Sequence, residues 1–250
     1  MDAAEAVAIF AAGGAAGTIN TIVGSGTLIT FPVLLGFGFP PVTANVSNTI
    51  GLVPGSVSGA VGYRAELAGQ GRRAFWLGIP SVAGGIAGAV LLLTLPASAF
   101  KSIVPGFIAA ALVLVVAQPW LTRRLAGRHE HPLNARGALP LSLFTIGVYG
   151  GYFGAAQGIL ILALLGLTLP DPLQRINAIK NILAGLTNAI AGIVFVIAAS
   201  HVSWTVAGLI AVGSALGGQL GARVGRRLPG PVLRGVIVAV GIAAILKLVL

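Results

Sequence analysis

Apolar residues fill this chain in long blocks, separated by short polar or glycine- and proline-bearing stretches, with neither the alternation of a strand nor the single stripe of a surface helix. The blocks cover about 4–23, 24–37, 42–63, 74–95 and 100–120, then about 138–155, 157–169, 175–198, 203–222 and 232–250. A helix needs roughly 20 apolar residues to cross a hydrocarbon core of about 30 Å. Most blocks meet that length. The second of each set does not: its 13 or 14 residues reach only about 20 Å. Each short block is therefore expected to pair with the one before it, as a tight hairpin or a re-entrant pair.

The two sets are copies. An offset of 130 pairs Gly17 with Gly147, Gly24 with Gly154 and Pro40 with Pro170. After a three-residue insertion, an offset of 133 pairs Asn48 with Asn181, Gly59 with Gly192, Ser81 with Ser214 and Gly88 with Gly221. The copies carry positive charge on opposite loops. Arg64, Arg72 and Arg73 follow the third block of the first copy, while the matching loop at 199–203 holds no Lys or Arg. Conversely, Arg223, Arg226, Arg227 and Arg234 sit where the first copy has only Lys101. Because Lys and Arg collect on the cytoplasmic side, the copies are expected to be inverted, the arrangement of secondary transporters. The expected organisation is an N-terminal repeat at 1–120, a cytoplasmic linker at 121–137 and a C-terminal repeat at 138–250, with both termini outside. The turn at 171–175 then falls inside and the turn at 38–42 outside.

Composition agrees with the blocks. The chain is 56% apolar and 8% charged, with a mean hydropathy of +1.00, which excludes an ordinary soluble domain. Its 37 glycines suit helices that approach closely through small residues. The net charge of +10 reads as topology signal, not nucleic-acid affinity, because the basic residues lie in short loops without an aromatic-basic patch. No cysteine is present, so disulfides and thiolate chemistry are excluded. The acidic start, Met1 to Glu5, lacks the basic segment of a signal peptide, and the first helix is expected to be retained. His129 and His131 lie in the linker and read as solvated linker residues.

Candidate chemistry clusters at two places. Gly24, Ser25, Gly26 and Thr27 form a break between apolar blocks, matched by the break from Gly154 to Gly158 that includes Gln157. A helix starting at such a break aims free N–H groups and its positive dipole end at an anion. The bland alternative is that these glycines only permit close packing. The second cluster is Asn45 and Asn48, with Asn177, Lys180 and Asn181 in the other copy; Asn20 and Asn188 are lesser candidates, and Asn188 reads more as an interhelical hydrogen bond than as a ligand. No acidic residue is available to Lys180, since Asp2, Glu5, Glu66, Glu130 and Asp171 all fall at ends or in loops, so it either meets an anionic substrate or snorkels to the interface beside Arg175. No catalytic triad, paired carboxylates or phosphate-binding loop is visible, and no cofactor is expected.

The segments GTINTIVGSGTLITFPVLLGFGFPPVTANVSNTIGLVP, from Gly17 to Pro54, and GVYGGYFGAAQGILILALLGLTLPDPLQRINAIKNILAGLTN, from Gly147 to Asn188, resemble the two repeats of the TauE/SafE sulfite exporter family. GGYFGAAQG followed by NAIKN is the most specific part, and the resemblance covers almost the whole chain. It implies a multi-spanning carrier of sulfite, sulfonates or related organic anions. The first glycine motif departs from the family pattern, with Ser25 interrupting the run and Thr27 following it.

The expectation is an all-α integral membrane protein of the cell membrane: two inverted repeats of about five helical segments, with short broken or re-entrant helices at the centre. Its expected function is secondary transport of a small anion by alternating access. The expected partners are that anion and the lipid bilayer, with room for a coupling proton or sodium ion and for a homo-oligomer. An anion channel and a non-transporting assembly subunit are the alternatives from other classes.

Overall fold

The computed structural model describes residues 1–126 and 137–224, together with positions 235, 238, 239, 242, 245 and 246. Its described elements are all helical: α1 Ala3–Ile22, α2 Thr27–Gly36, α3 Pro41–Gly62, α4 Arg64–Leu67, α5 Gly71–Thr94, α6 Ala97–Ala126, α7 Ala138–Tyr152, α8 Gln157–Thr168, α9 Leu173–Ala198 and α10 Trp204–Val224. Two helix breaks, after α1 and after α7, fall where the sequence predicts them. Helices α2 and α8, with 10 and 12 residues, reach roughly 15 and 18 Å and cannot cross a bilayer. Gly26 lies back against Ala16 and Asn20, so α1 and α2 form a hairpin. Single-turn α4 was not anticipated. Helix α6 continues through Leu121 to Ala126, so the start of the expected linker is helical. His129, His131, Arg226, Arg227, Arg234 and most of the block at 232–250 lie outside the described residues.

Among the described residues, α1, α5, α6, α9 and α10 are long and apolar enough to span a membrane. Helix α3 has the length but carries a polar run, and the structure answers that polarity by burial: Asn45, Ser47 and Asn48 are wholly enclosed. At the start of α1 a capping box satisfies orphan donors, Asp2 accepting from the Glu5 N–H and Glu5 from the Asp2 N–H.

Two bundles organise the molecule, and each takes helices from both copies. In one, α1 and α3 pack on α10. Gly13 meets Ile210, Gly17 meets Ser214 and Thr18 meets Gly221, while Gly51 meets Ile210 and Gly62 meets Ala222. Contact positions rise together along each pair, so the three helices run in the same direction. In the other bundle, α7 and α9 pack on α5 in the same parallel fashion: Gly84 meets Gly147, Gly88 meets Tyr152, Gly78 meets Leu186 and Gly85 meets Ile190. These approaches are so close that a Cβ would strike the neighbour's main chain at most of them, so small residues are the condition for packing. Hydroxyls stitch each bundle internally, as Ser214 to the Gly51 carbonyl and Thr187 to the Ser81 carbonyl.

The bundles meet along α3 and α9, which run antiparallel: Gly185 lies on Ser56 and Gly192 on Ile50. Loops sort to two ends accordingly. At one end Arg73 forms an ion pair with Asp171, whose carboxylate also lies 3.4 Å from Arg175, so the 64–73 loop and the 171–175 turn share a face, as expected. At the other end Phe39 and Thr43 line a cavity with Ala199, His201 and Ser203, again the expected partners.

Candidate functional site

Helix α1 ends at Ile22 and leaves its last carbonyls without intrahelical donors. The Ile19 carbonyl is taken by the N–H groups of Val23 and Gly24, at 2.7 and 3.1 Å. Gly24 adopts φ +89°, the left-handed conformation in which glycine ends a helix. The second copy does the same: Tyr149 accepts from Phe153 and Gly154, at 2.9 and 3.0 Å, and Gly154 has φ +75°.

The remaining carbonyls are covered from the other copy. Lys180, wholly buried on α9, donates from Nζ to the Asn20 carbonyl at 2.9 Å and the Thr21 carbonyl at 3.2 Å. Asn177 and Asn181 also donate to the Thr21 carbonyl, at 3.4 and 3.3 Å. Reciprocally, Asn45 of α3 donates to the carbonyl of Tyr152, the last residue of α7, at 2.9 Å. Lys180 thus does not snorkel. Its positive charge faces the negative end of the α1 dipole, a favourable place for a cation.

The two breaks touch. The Gly158 N–H donates to the Gly24 carbonyl at 3.1 Å, and a Cβ on Gly158 would lie 2.5 Å from the Gly24 Cα and 3.0 Å from Lys180 Cδ. In this conformation the Gly158 N–H is therefore engaged. Gly26 packs closely too, since a Cβ there would lie 2.6 Å from the Ala16 carbonyl. Residue Ala156, which precedes α8, has φ +59°; it is a left-handed non-glycine residue, and it sits where the first copy has Gly26.

Thr27 and Asn48 belong to a local network: Asn48 donates to the Thr27 hydroxyl at 3.3 Å and accepts from the Thr30 hydroxyl. Asn20 donates to Ser56 at 3.4 Å. By contrast, Ser25 Oγ, Asn45 Oδ1, Gln157 Nε2, Asn177 Oδ1 and Tyr152 Oη are buried without a partner. A buried polar atom left unpaired costs about 1–3 kcal/mol, and these five all sit in or beside the breaks, or on residues bonded to a broken helix end. Buried polar groups of this kind are normally satisfied by water or by a ligand.

The sequence candidates thus converge on the crossing of the two breaks, except Asn188, which lies about two turns beyond Asn181 on α9. Sequence reasoning missed Thr30 and Ser56. Thr30 was within reach, because it lies one turn from Thr27 on the helix face that meets Asn48. The carbonyls of Thr21 and Tyr152 are main-chain acceptors, and only the positions of the breaks could have pointed to them.

Long apolar helices, half-length helices meeting at buried breaks and glycine-lined packing define an all-helical integral membrane protein. The chain belongs to the family described as sulfite exporter TauE/SafE, whose model matches residues 9–248. It is 26% identical over 213 residues to a "Probable membrane transporter protein" of Haemophilus influenzae, covering 84% of this chain and 80% of the relative. It is 28% identical over 207 residues to "Probable membrane transporter protein YfcA" of Escherichia coli strain K12, covering 81% and 74%. No solved structure matches. The chain is thus a member of a membrane transporter family.

Proposed function

We propose that this protein is a secondary carrier of small anions, with sulfite, a sulfonate or a related sulfur oxyanion as substrate, working by alternating access between inverted repeats. The observation that carries this reading is the set of unpartnered buried polar atoms at the crossing, with Ser25 Oγ and Gln157 Nε2 as donors beside the wholly buried Lys180. The negative ends of α1 and α7 are already covered by Lys180 and Asn45. The positive ends of α2 and α8 also lie at the crossing, and an anion that displaces the Gly24 carbonyl from the Gly158 N–H meets dipole ends that favour negative charge. The family description supports a sulfur oxyanion as the substrate.

The bundle of α1, α3 and α10 and the bundle of α5, α7 and α9 supply the moving bodies. Each is locked internally by small-residue packing, whereas the bonds of Lys180, Asn177, Asn181 and Asn45 run between them and that of Gly158 joins the two breaks. Rocking along α3 and α9 opens the crossing to one face and then the other, and Lys180 exchanges the α1 carbonyls for the anion. Enclosure of Ser25, Asn48 and Lys180 favours this over a channel, which needs a continuous lined path. Opposite directions of α3 and α9, and the gathering of Arg73 and Arg175 at one end, support the inversion.

The test is a thermal-shift screen of the purified protein against sulfite, sulfate, thiosulfate, sulfoacetate and carboxylates, followed by counterflow in proteoliposomes. A substrate at 100 times its dissociation constant stabilises by about 2.7 kcal/mol. Stabilisation by none of these anions, together with no counterflow, rejects the carrier reading.

A further inference from the structure

Between α3 and α9 lies a groove of about 400 Å³. Val57, Val61 and Arg64 line one wall and Ile182, Leu186 and Ala189 the other. Ile182, Leu186 and Ala189 follow the i, i+4, i+7 spacing of one face of α9, while Val57 and Val61 stand one turn apart on α3 with Arg64 opening α4 just beyond, so the groove runs along the helix axes for roughly 10 Å. Val57, Val61 and Leu186 are exposed at its rim. Its floor holds Asn181 and Ser56, both buried and both bonded to the end of α1, through Thr21 and Asn20. Arg64 closes the groove at the end of the molecule where Arg73, Arg175 and Asp171 gather. The Arg64 guanidinium makes a 3.5 Å contact with the Val61 carbonyl, and among the described residues no ion pair engages it.

We propose that this groove seats an acyl chain of an anionic phospholipid, with the headgroup phosphate on Arg64. In a membrane the rim of the groove faces hydrocarbon, so an apolar chain fills it at no cost in polar desolvation, whereas water gains few partners there. The groove runs along the span and ends in a guanidinium at the interface, the order in which a phospholipid presents chain and phosphate. Because the floor is the contact line between the two bundles, the seated chain also braces the cap on α1.

The test is native mass spectrometry of the full chain from micelles doped with phosphatidylglycerol or phosphatidylcholine of matched chains. The wild-type protein is expected to retain phosphatidylglycerol roughly fivefold over phosphatidylcholine. Arg64→Gln should bring that ratio close to one, whereas Arg124→Gln, at another basic position, should leave it unchanged. Ala189→Phe, which fills the groove, should lower retention of both lipids; Ala60→Phe serves if that variant fails to fold. Equal retention of the two lipids by the wild type, or an unchanged preference in Arg64→Gln, overturns the proposal. So does a dimer that protects Val57→Cys from an impermeant thiol reagent in lipid-free micelles, because the groove would then seat a second copy.

Discussion

The ammonium of Lys180 lies 2.9 Å from the main-chain oxygen of Asn20, on a helix of the other repeat. A single side chain therefore ties the end of one broken helix to the bundle that carries the other. In Lys180→Met the Asn20 carbonyl loses its buried donor, which should lower stability by about 1–3 kcal/mol. If the ammonium also holds the anion, affinity should fall about tenfold through loss of a charge-assisted bond. Thermal unfolding and substrate titration at two salt concentrations separate the two effects, with Arg175→Met reporting general surface attraction. A less stable protein with unchanged affinity would make Lys180 a helix cap alone.

Asn45 performs the matching task on α7. Asn45→Ala leaves the Tyr152 carbonyl without that donor and should also cost about 1–3 kcal/mol. Combined with Lys180→Met, the losses should depart from additivity by more than about 0.5 kcal/mol, because both caps act on one crossing. Strict additivity in a double-mutant cycle would show two independent helix ends.

Ala156 holds a left-handed backbone at φ +59°, which strains an L residue by roughly 1–2 kcal/mol. Ala156→Gly should therefore raise the unfolding midpoint, by an amount corresponding to about 1 kcal/mol. A lower midpoint in a detergent unfolding assay counts against strain at this position.

Close packing makes a separate forecast. A side chain on Gly88 would meet the Tyr152 nitrogen at 2.8 Å, whereas the space beside Gly106 is open. Gly88→Leu should abolish the monodisperse peak in size-exclusion chromatography, and Gly106→Leu should retain it. The same packing complicates Gly158: replacing it by Leu drives the breaks apart, so loss of transport in that variant cannot distinguish a lost anion contact from lost packing. Equal behaviour of the Gly88 and Gly106 variants would remove the packing argument.

Topology is testable in this naturally cysteine-free chain. Single cysteines at Gly69 and His201, both exposed, should label from opposite sides of the membrane with an impermeant reagent, position 69 from the cytoplasm. Labelling of both from one side ends the inverted arrangement.

Much of this fold was legible because membrane helices are written in long apolar blocks and their breaks in glycine. The positions of both breaks and the pairing of the basic loop with the Asp171 turn followed from block length and charge. The candidate cluster was legible because amides and one lysine stand out in an apolar helix. Its geometry was not. Lys180 finds its partner in main-chain carbonyls, and a carbonyl left over at a helix end carries no mark in residue identity. Likewise α3, with its polar run, reads as a weaker span than its neighbours until its enclosure by α1, α9 and α10 is seen. The exchange of helices between copies was also hidden, since glycines facing Gly14 or Gly147 look the same in sequence whichever helix they meet.

That exchange sets the order in which the chain can mature. Helices α1 and α3 lie against α10, so their glycine faces lack this partner until the ribosome has delivered residues roughly 150 to 200 positions later. The first repeat must wait in the bilayer, inserted but unpaired, while the second is made. A single repeat expressed alone would carry two helices of one bundle and one of the other, and expose both seams. Under the proposed inversion, it would complete them by meeting a second copy inserted the other way up.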